Sequence, residues 1–88
     1  MKNRSRTEII SVILHTARTG TTKTKIMYMA YLSYSQLVSY LKLLGENKMI
    51  SYDEGAQIYR TTERGIKFLE MANEITDMLA PPEDCKLN

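Results

Sequence analysis

Leu32-Ser33-Tyr34-Ser35-Gln36-Leu37-Val38-Ser39-Tyr40-Leu41-Lys42-Leu43-Leu44 reads as a helix with two unlike faces. At about 100° per residue, Leu37, Tyr40, Leu41 and Leu44 share one arc, while Ser35, Ser39 and Lys42 lie opposite with Val38 beside them. The first arc packs inward and the second is left free. Ser33 followed by Gln36 forms a capping box, in which the serine accepts an orphan N–H and the glutamine reaches back to the serine amide. The opening turn, with Tyr34 and Ser35, carries donors and an aromatic ring but no acid, so a polyanion can approach it without repulsion. On its own the same pattern also describes an ordinary surface helix whose polar side meets water. The segments on either side decide between the two readings.

Upstream, Ser5 and Glu8 make a second capping box, followed by Ile9, Ile10, Ile13, Leu14 and Ala17 at helical spacing. This predicts a first helix from about Arg6 to Arg18, ended by Gly20. His15 points away from the stripe and has no second histidine or cysteine nearby, so it reads as a surface residue. A short second helix spans Lys23 to about Met29, with Ile26, Met27 and Ala30 able to face the core. At its mouth, Thr21-Thr22-Lys23-Thr24-Lys25 offers amides, hydroxyls and two ammonium groups. The run reads equally as a phosphate clamp or as a solvated loop with ordinary caps. Helix, short turn at Ala30-Tyr31-Leu32 and capped helix make the skeleton of a helix-turn-helix, with the third helix as the candidate recognition helix for a DNA major groove.

Downstream, Gly45-Glu46-Asn47-Lys48 predicts a stop, with glycine and asparagine at the left-handed cap. The alternation then becomes period two. Ile50 and Tyr52 face one side, Asp53-Glu54-Gly55 turns the chain, and Gln57 to Thr61 returns with Tyr59 and Thr61 inward. Such a hairpin beside three helices forms a wing, whose Gln57 or Arg60 would reach phosphate or a minor groove while its acidic tip stays back. Thr62 caps a last helix from Glu63 to about Leu79. Ile66 and Leu69 cover the core, whereas Phe68, Met71, Ala72, Ile75, Met78 and Leu79 form a second stripe. That stripe either pairs with its counterpart on another chain or folds back on its own domain. Pro81-Pro82 ends the helix, and a disordered tail is expected over residues 81–88.

The net charge of +2 conceals a division along the chain. Residues 1–48 hold eight Lys and Arg against two acids, a net of +6; residues 49–88 hold four against eight, a net of −4. A basic front and an acidic back suit a polyanion bound on one side only. With 43% hydrophobic residues and no long apolar run, the composition is that of one globular domain, with neither a membrane span nor a signal peptide. A cytoplasmic, nucleoid-associated location is expected. The single cysteine, Cys85, excludes an internal disulfide and a cysteine metal site. No metal, cofactor, small-molecule substrate or catalytic constellation is indicated: Glu63, Glu70, Glu74 and Asp77 lie on the outer side of the last helix, and no glycine-rich phosphate loop or nucleophile–base pair is present.

Thr22-Lys23-Thr24-Lys25-Ile26-Met27-Tyr28, then Leu32 to Leu37 with Tyr40-Leu41, and later Tyr59-Arg60-Thr61-Thr62-Glu63-Arg64-Gly65 with Phe68-Leu69, together carry a resemblance. In this order and spacing the chain resembles the small archaeal winged-helix DNA-binding proteins, including the basic chromatin-associated dimers of Sulfolobus. The resemblance implies an α+β winged helix-turn-helix over residues 1–62, with a dimerisation helix over 63–80. It also implies a homodimer joined through those helices, acting on double-stranded DNA as a transcription regulator or as a DNA-organising protein. Chromatin-type relatives carry a longer coiled coil, which Pro81 cuts short here. The expected DNA contacts are Lys2, Arg4, Arg6, Thr22, Lys23, Thr24, Lys25, Ser33, Tyr34, Ser35, Val38, Ser39, Lys42, Gln57 and Arg60; the expected dimer contacts are the second-stripe residues. A protein-interaction module, docking its acidic back and apolar stripe on a partner, is the alternative from another class.

Overall fold

The computed structural model describes residues 5–79, of which 75–79 are described by backbone alone. The order is α1 (Arg6–Thr16), α2 (Lys23–Ala30), α3 (Tyr34–Glu46), β1 (Ile50–Asp53), β2 (Ile58–Thr61) and α4 (Glu63–Leu79). This is the α+β arrangement expected, three helices followed by an antiparallel hairpin and a last helix. Lys2, Arg4, Cys85 and the 81–88 tail lie outside the described residues, as do the side chains of Ile75, Met78 and Leu79.

One core joins all the helices. Ile13, Leu14 and Ala17 of the α1 segment meet Ile26 and Ala30 of α2, Leu37, Leu41 and Leu44 of α3, Ile50 of β1 and Leu69 of α4. Both predicted capping boxes are formed, with the Glu8 and Gln36 amides donating to Ser5 Oγ and Ser33 Oγ at 3.1 and 3.2 Å. The apolar arcs of α1 and α3 therefore lie where their spacing put them.

Helix α1 stops at Thr16, two residues short of the expected Arg18, because a distant residue takes the carbonyl that would extend it. Thr61 Oγ1 donates to the Leu14 carbonyl at 2.6 Å, and the Thr61 amide donates to Ala17 O at 2.9 Å. The Arg18 amide turns to His15 O instead, at 3.3 Å. Gly20 does not end the helix; at φ +97° it redirects the chain into a bridge in which Thr21 and Tyr59 exchange backbone hydrogen bonds of 2.9 and 2.7 Å. The base of the hairpin is thereby fastened to the α1–α2 connection.

Two further corrections concern left-handed residues. Helix α3 ends in a Schellman motif, with Met49 N–H donating to Leu44 O and Lys48 N–H to Gly45 O. Lys48, at φ +62°, holds the left-handed position expected of Gly45 or Asn47; Asn47 caps with its side-chain amide on Leu43 O at 2.8 Å. The wing turn lies one step later than Asp53-Glu54-Gly55. Asp53 Oδ1 accepts from the Gly55 and Ala56 amides at 3.0 and 3.2 Å, Gln57 adopts φ +58°, and β2 begins at Ile58.

Thr62 starts α4 as expected. Its Oγ1 accepts from the Gly65 amide at 3.2 Å and donates to Lys48 O at 2.6 Å. Gly65 lets α4 press against the α3–β1 connection, since a Cβ there would collide with the Met49 carbonyl oxygen and Thr61 Cγ2. Gly65→Ala should therefore cost about 1–3 kcal/mol, the usual penalty of overpacking. Urea unfolding checks this, and an unchanged midpoint would show that α4 is free to shift outward.

Candidate nucleic-acid interface

Burial of Leu37, Leu41 and Leu44 fixes the rotation of α3 and leaves its opposite side uncovered. Tyr34 is 60% exposed, Val38 42% exposed, and Ser35, Ser39 and Lys42 are exposed with them. Ser33 and Gln36 are occupied by the cap, the Ser33 amide donating to Gln36 Oε1 at 3.0 Å. Gln36 therefore has its carboxamide oxygen committed to the backbone.

Cations flank this face on both sides. Arg6, from the start of α1, lines a hollow with Ser35, Gln36, Ser39, Tyr40 and Leu43. On the other flank, Lys23 lines a hollow with Tyr34, Val38, Leu41, Lys42 and Tyr59, and its Nζ lies 5.4 Å from the Tyr34 ring centre. Lys23 and Lys42 thus open onto one concavity from two helices. A third hollow continues the surface to the wing, through Thr22, Lys23, Thr24, Tyr52, Gln57 and Tyr59. Among the described residues, no acid lines any of the three.

Other expected contacts are placed differently. Lys25 lies about 200° around α2 from Lys23, so it projects from another side of that helix; its amide donates to Thr22 Oγ1 at 3.2 Å. Arg60 turns its guanidinium back onto the α1–α2 connection, Nη1 donating to Thr19 O at 3.1 Å. It alternates with Tyr59 along β2 and so leaves the strand on the other face. Tyr52 and Tyr59 belong to the interface side although their sequence positions did not single them out. They are cross-strand partners with ring centres 4.6 Å apart. Period two places them on one face, but only the Thr21–Tyr59 bridge brings that face to Lys23.

Along α4, Phe68 is half-buried against the core, unlike the outer stripe it was assigned to. Met71 is 57% exposed and Ala72 half-buried. A groove of about 500 Å³ on a different side of the molecule lies among α1, Met29 and α4, lined by Val12, His15, Arg18, Ile66, Leu69 and Glu70 among others. Among the described residues there is no cluster of three or more His, Cys, Asp or Glu that could hold a metal, and no helix long and apolar enough to cross a membrane.

A winged helix-turn-helix family model matches residues 3–80, and the chain belongs to that family. Among solved structures it is similar to Sso10a-2, a DNA-binding protein from Sulfolobus solfataricus. The two share 25% identity over 85% of this chain and 81% of that one, with a TM-score of 0.74. No curated protein sequence gives a match.

The cap at Ser33 holds the start of the exposed face. Ser33→Ala should lower stability by about 1 kcal/mol, as loss of a helix cap does, and should fray the α3 amides first in hydrogen exchange. Unchanged protection at Gln36 and Leu37 would contradict that role.

Proposed function

We propose that the protein binds double-stranded DNA with the exposed face of α3 in the major groove, as a homodimer joined through α4, and serves as a transcription regulator. The observation that carries this reading is the run of hollows from Arg6 across α3 to Lys23, Lys42 and the wing, lined by cations and, among the described residues, by no acid. An α-helix fits the major groove, and cations on both flanks match the two phosphate backbones that border it. Membership of the winged helix-turn-helix family and similarity to a protein described as DNA-binding support the same conclusion.

Arg6, Lys23 and Lys42 would neutralise phosphates, with Lys2 and Arg4 preceding them in the chain. Tyr34, Ser35 and Ser39 would address base edges, and Gln57 with the Tyr52–Tyr59 pair would lie against the adjoining backbone. Dimerisation would cover Met71, where exposed apolar area otherwise costs ~25 cal/mol per Å², along a stripe whose sequence continues through Ile75, Met78 and Leu79. An architectural role, coating duplex without a preferred site, is favoured by one feature. The middle of the reading face has no Arg, Asn or Gln to form a bidentate pair with a purine.

With four phosphates neutralised per subunit, log K should fall against log[salt] with a slope of about −7 for the dimer, at ~0.9 per phosphate. Replacing Lys23 and Lys42 together by Ala should flatten that slope by about 3 to 4. Affinity independent of salt would contradict the proposal, and footprinting on random and promoter fragments separates regulator from architectural binder. Light scattering should give twice the 10.1 kDa chain mass, whereas a single-chain mass at all concentrations would remove the α4 pairing.

A further inference from the structure

Val38 is the one aliphatic side chain on the outer arc of α3, between Ser35, Ser39 and Lys42. The core does not need it, since Leu37, Leu41 and Leu44 fill that role from the opposite arc. Nor is it a lone exposed apolar residue on a convex surface. It belongs to a hollow of about 350 Å³ whose other members are Tyr34, Leu41 and Tyr59, with Lys23 and Lys42 contributing the ammonium groups. The floor is therefore apolar and the charged groups are cationic.

We propose that this hollow receives the 5-methyl group of thymine, so that a thymine methyl is the feature of duplex DNA the protein selects. The proposal rests on the DNA-binding reading and gives it a substrate preference. Each base pair shows the major groove hydrogen-bond donors and acceptors, but thymine alone among the four bases adds an apolar group there. Ser35 and Ser39 have hydroxyls that donate or accept with any base edge, so they discriminate weakly. The Gln36 carboxamide, which could pair with adenine, has its oxygen held by the Ser33 amide. Selection therefore falls to the remaining chemistry of the face, the contact between Val38 and a methyl group, with Lys23 and Lys42 placed to meet flanking phosphates.

The test uses the full chain and duplex pairs that differ only in methyl groups. One pair is an alternating A·T duplex and its copy with deoxyuridine in place of thymidine; the other is a G·C duplex with and without 5-methylcytosine. Fluorescence anisotropy at one fixed salt concentration should show binding weakened about fourfold for each contacted methyl removed and strengthened by a similar factor for each one added. Val38→Ala, at a position 42% exposed and so tolerant of truncation, should bring the ratio of the affinities for the thymidine and deoxyuridine duplexes close to one. Equal affinity of the unaltered protein for the thymidine and deoxyuridine duplexes overturns the proposal. A methyl preference that persists in Val38→Ala also overturns it, because the methyl would then act through the stiffness of the duplex. Failure to bind any of the four duplexes removes the DNA-binding reading itself, an outcome distinct from loss of the preference.

Discussion

The hydrogen bond from Thr61 Oγ1 to the Leu14 carbonyl, buried and spanning 47 residues of sequence, is the constraint on which the other features depend. With the Thr61 amide on Ala17 O, it ends α1 early and seats the base of the hairpin against that end. From this seat, β2 passes Thr21 and exchanges two backbone bonds with it, which sets where α2 begins. Lys23 then follows one residue after the Thr22 cap, next to Tyr59 and facing Tyr34. A buried donor with its acceptor removed costs about 1–3 kcal/mol, so this junction is held firmly.

A second division operates within α3. Its inner arc is fully committed to the core, so the helix cannot rotate without uncovering Leu37 and Leu44. Its outer arc is correspondingly fixed in direction, with its one acid, Glu46, in the last turn and none among the described residues that line the hollows on either flank. The positive charge around it comes from three separate places in the chain, namely the start of α1, the start of α2 and the far end of α3 itself. Asp53, at the end of β1, spends one carboxylate oxygen on the Gly55 and Ala56 amides of the wing turn.

The parts of this architecture that were legible in the sequence are those governed by neighbours within a few residues. The capping boxes at Ser5 and Ser33, the apolar arcs of α1 and α3, the hairpin and the start of α4 at Thr62 all belong to that group. The parts that were not legible depend on distant partners. Arg18 leaves α1 because Thr61 takes a carbonyl, and Arg60 is drawn to Thr19 by the seating of the hairpin. Phe68 lies near enough to the core to pack on it, which spacing along α4 alone does not settle. Lys48 and Gln57 adopt positive φ without being glycine, because Schellman bonds and the Asp53 turn hold them there against the local preference. Of the candidate interface, the α3 face was readable, whereas the junction of Lys23, Tyr34 and Tyr59 required the three-dimensional arrangement.

The most direct measurement is the mapping of backbone amide chemical shifts while a short duplex is titrated into the labelled protein. If the outer face of α3 lies in the groove, the largest changes will fall on Tyr34, Ser35, Val38, Ser39 and Lys42, with Lys23 and Arg6 beside them and little change along α4. Changes concentrated instead on the groove between α1 and α4, around Val12, His15 and Leu69, with the α3 amides unmoved, would contradict the assignment of α3 as the reading helix.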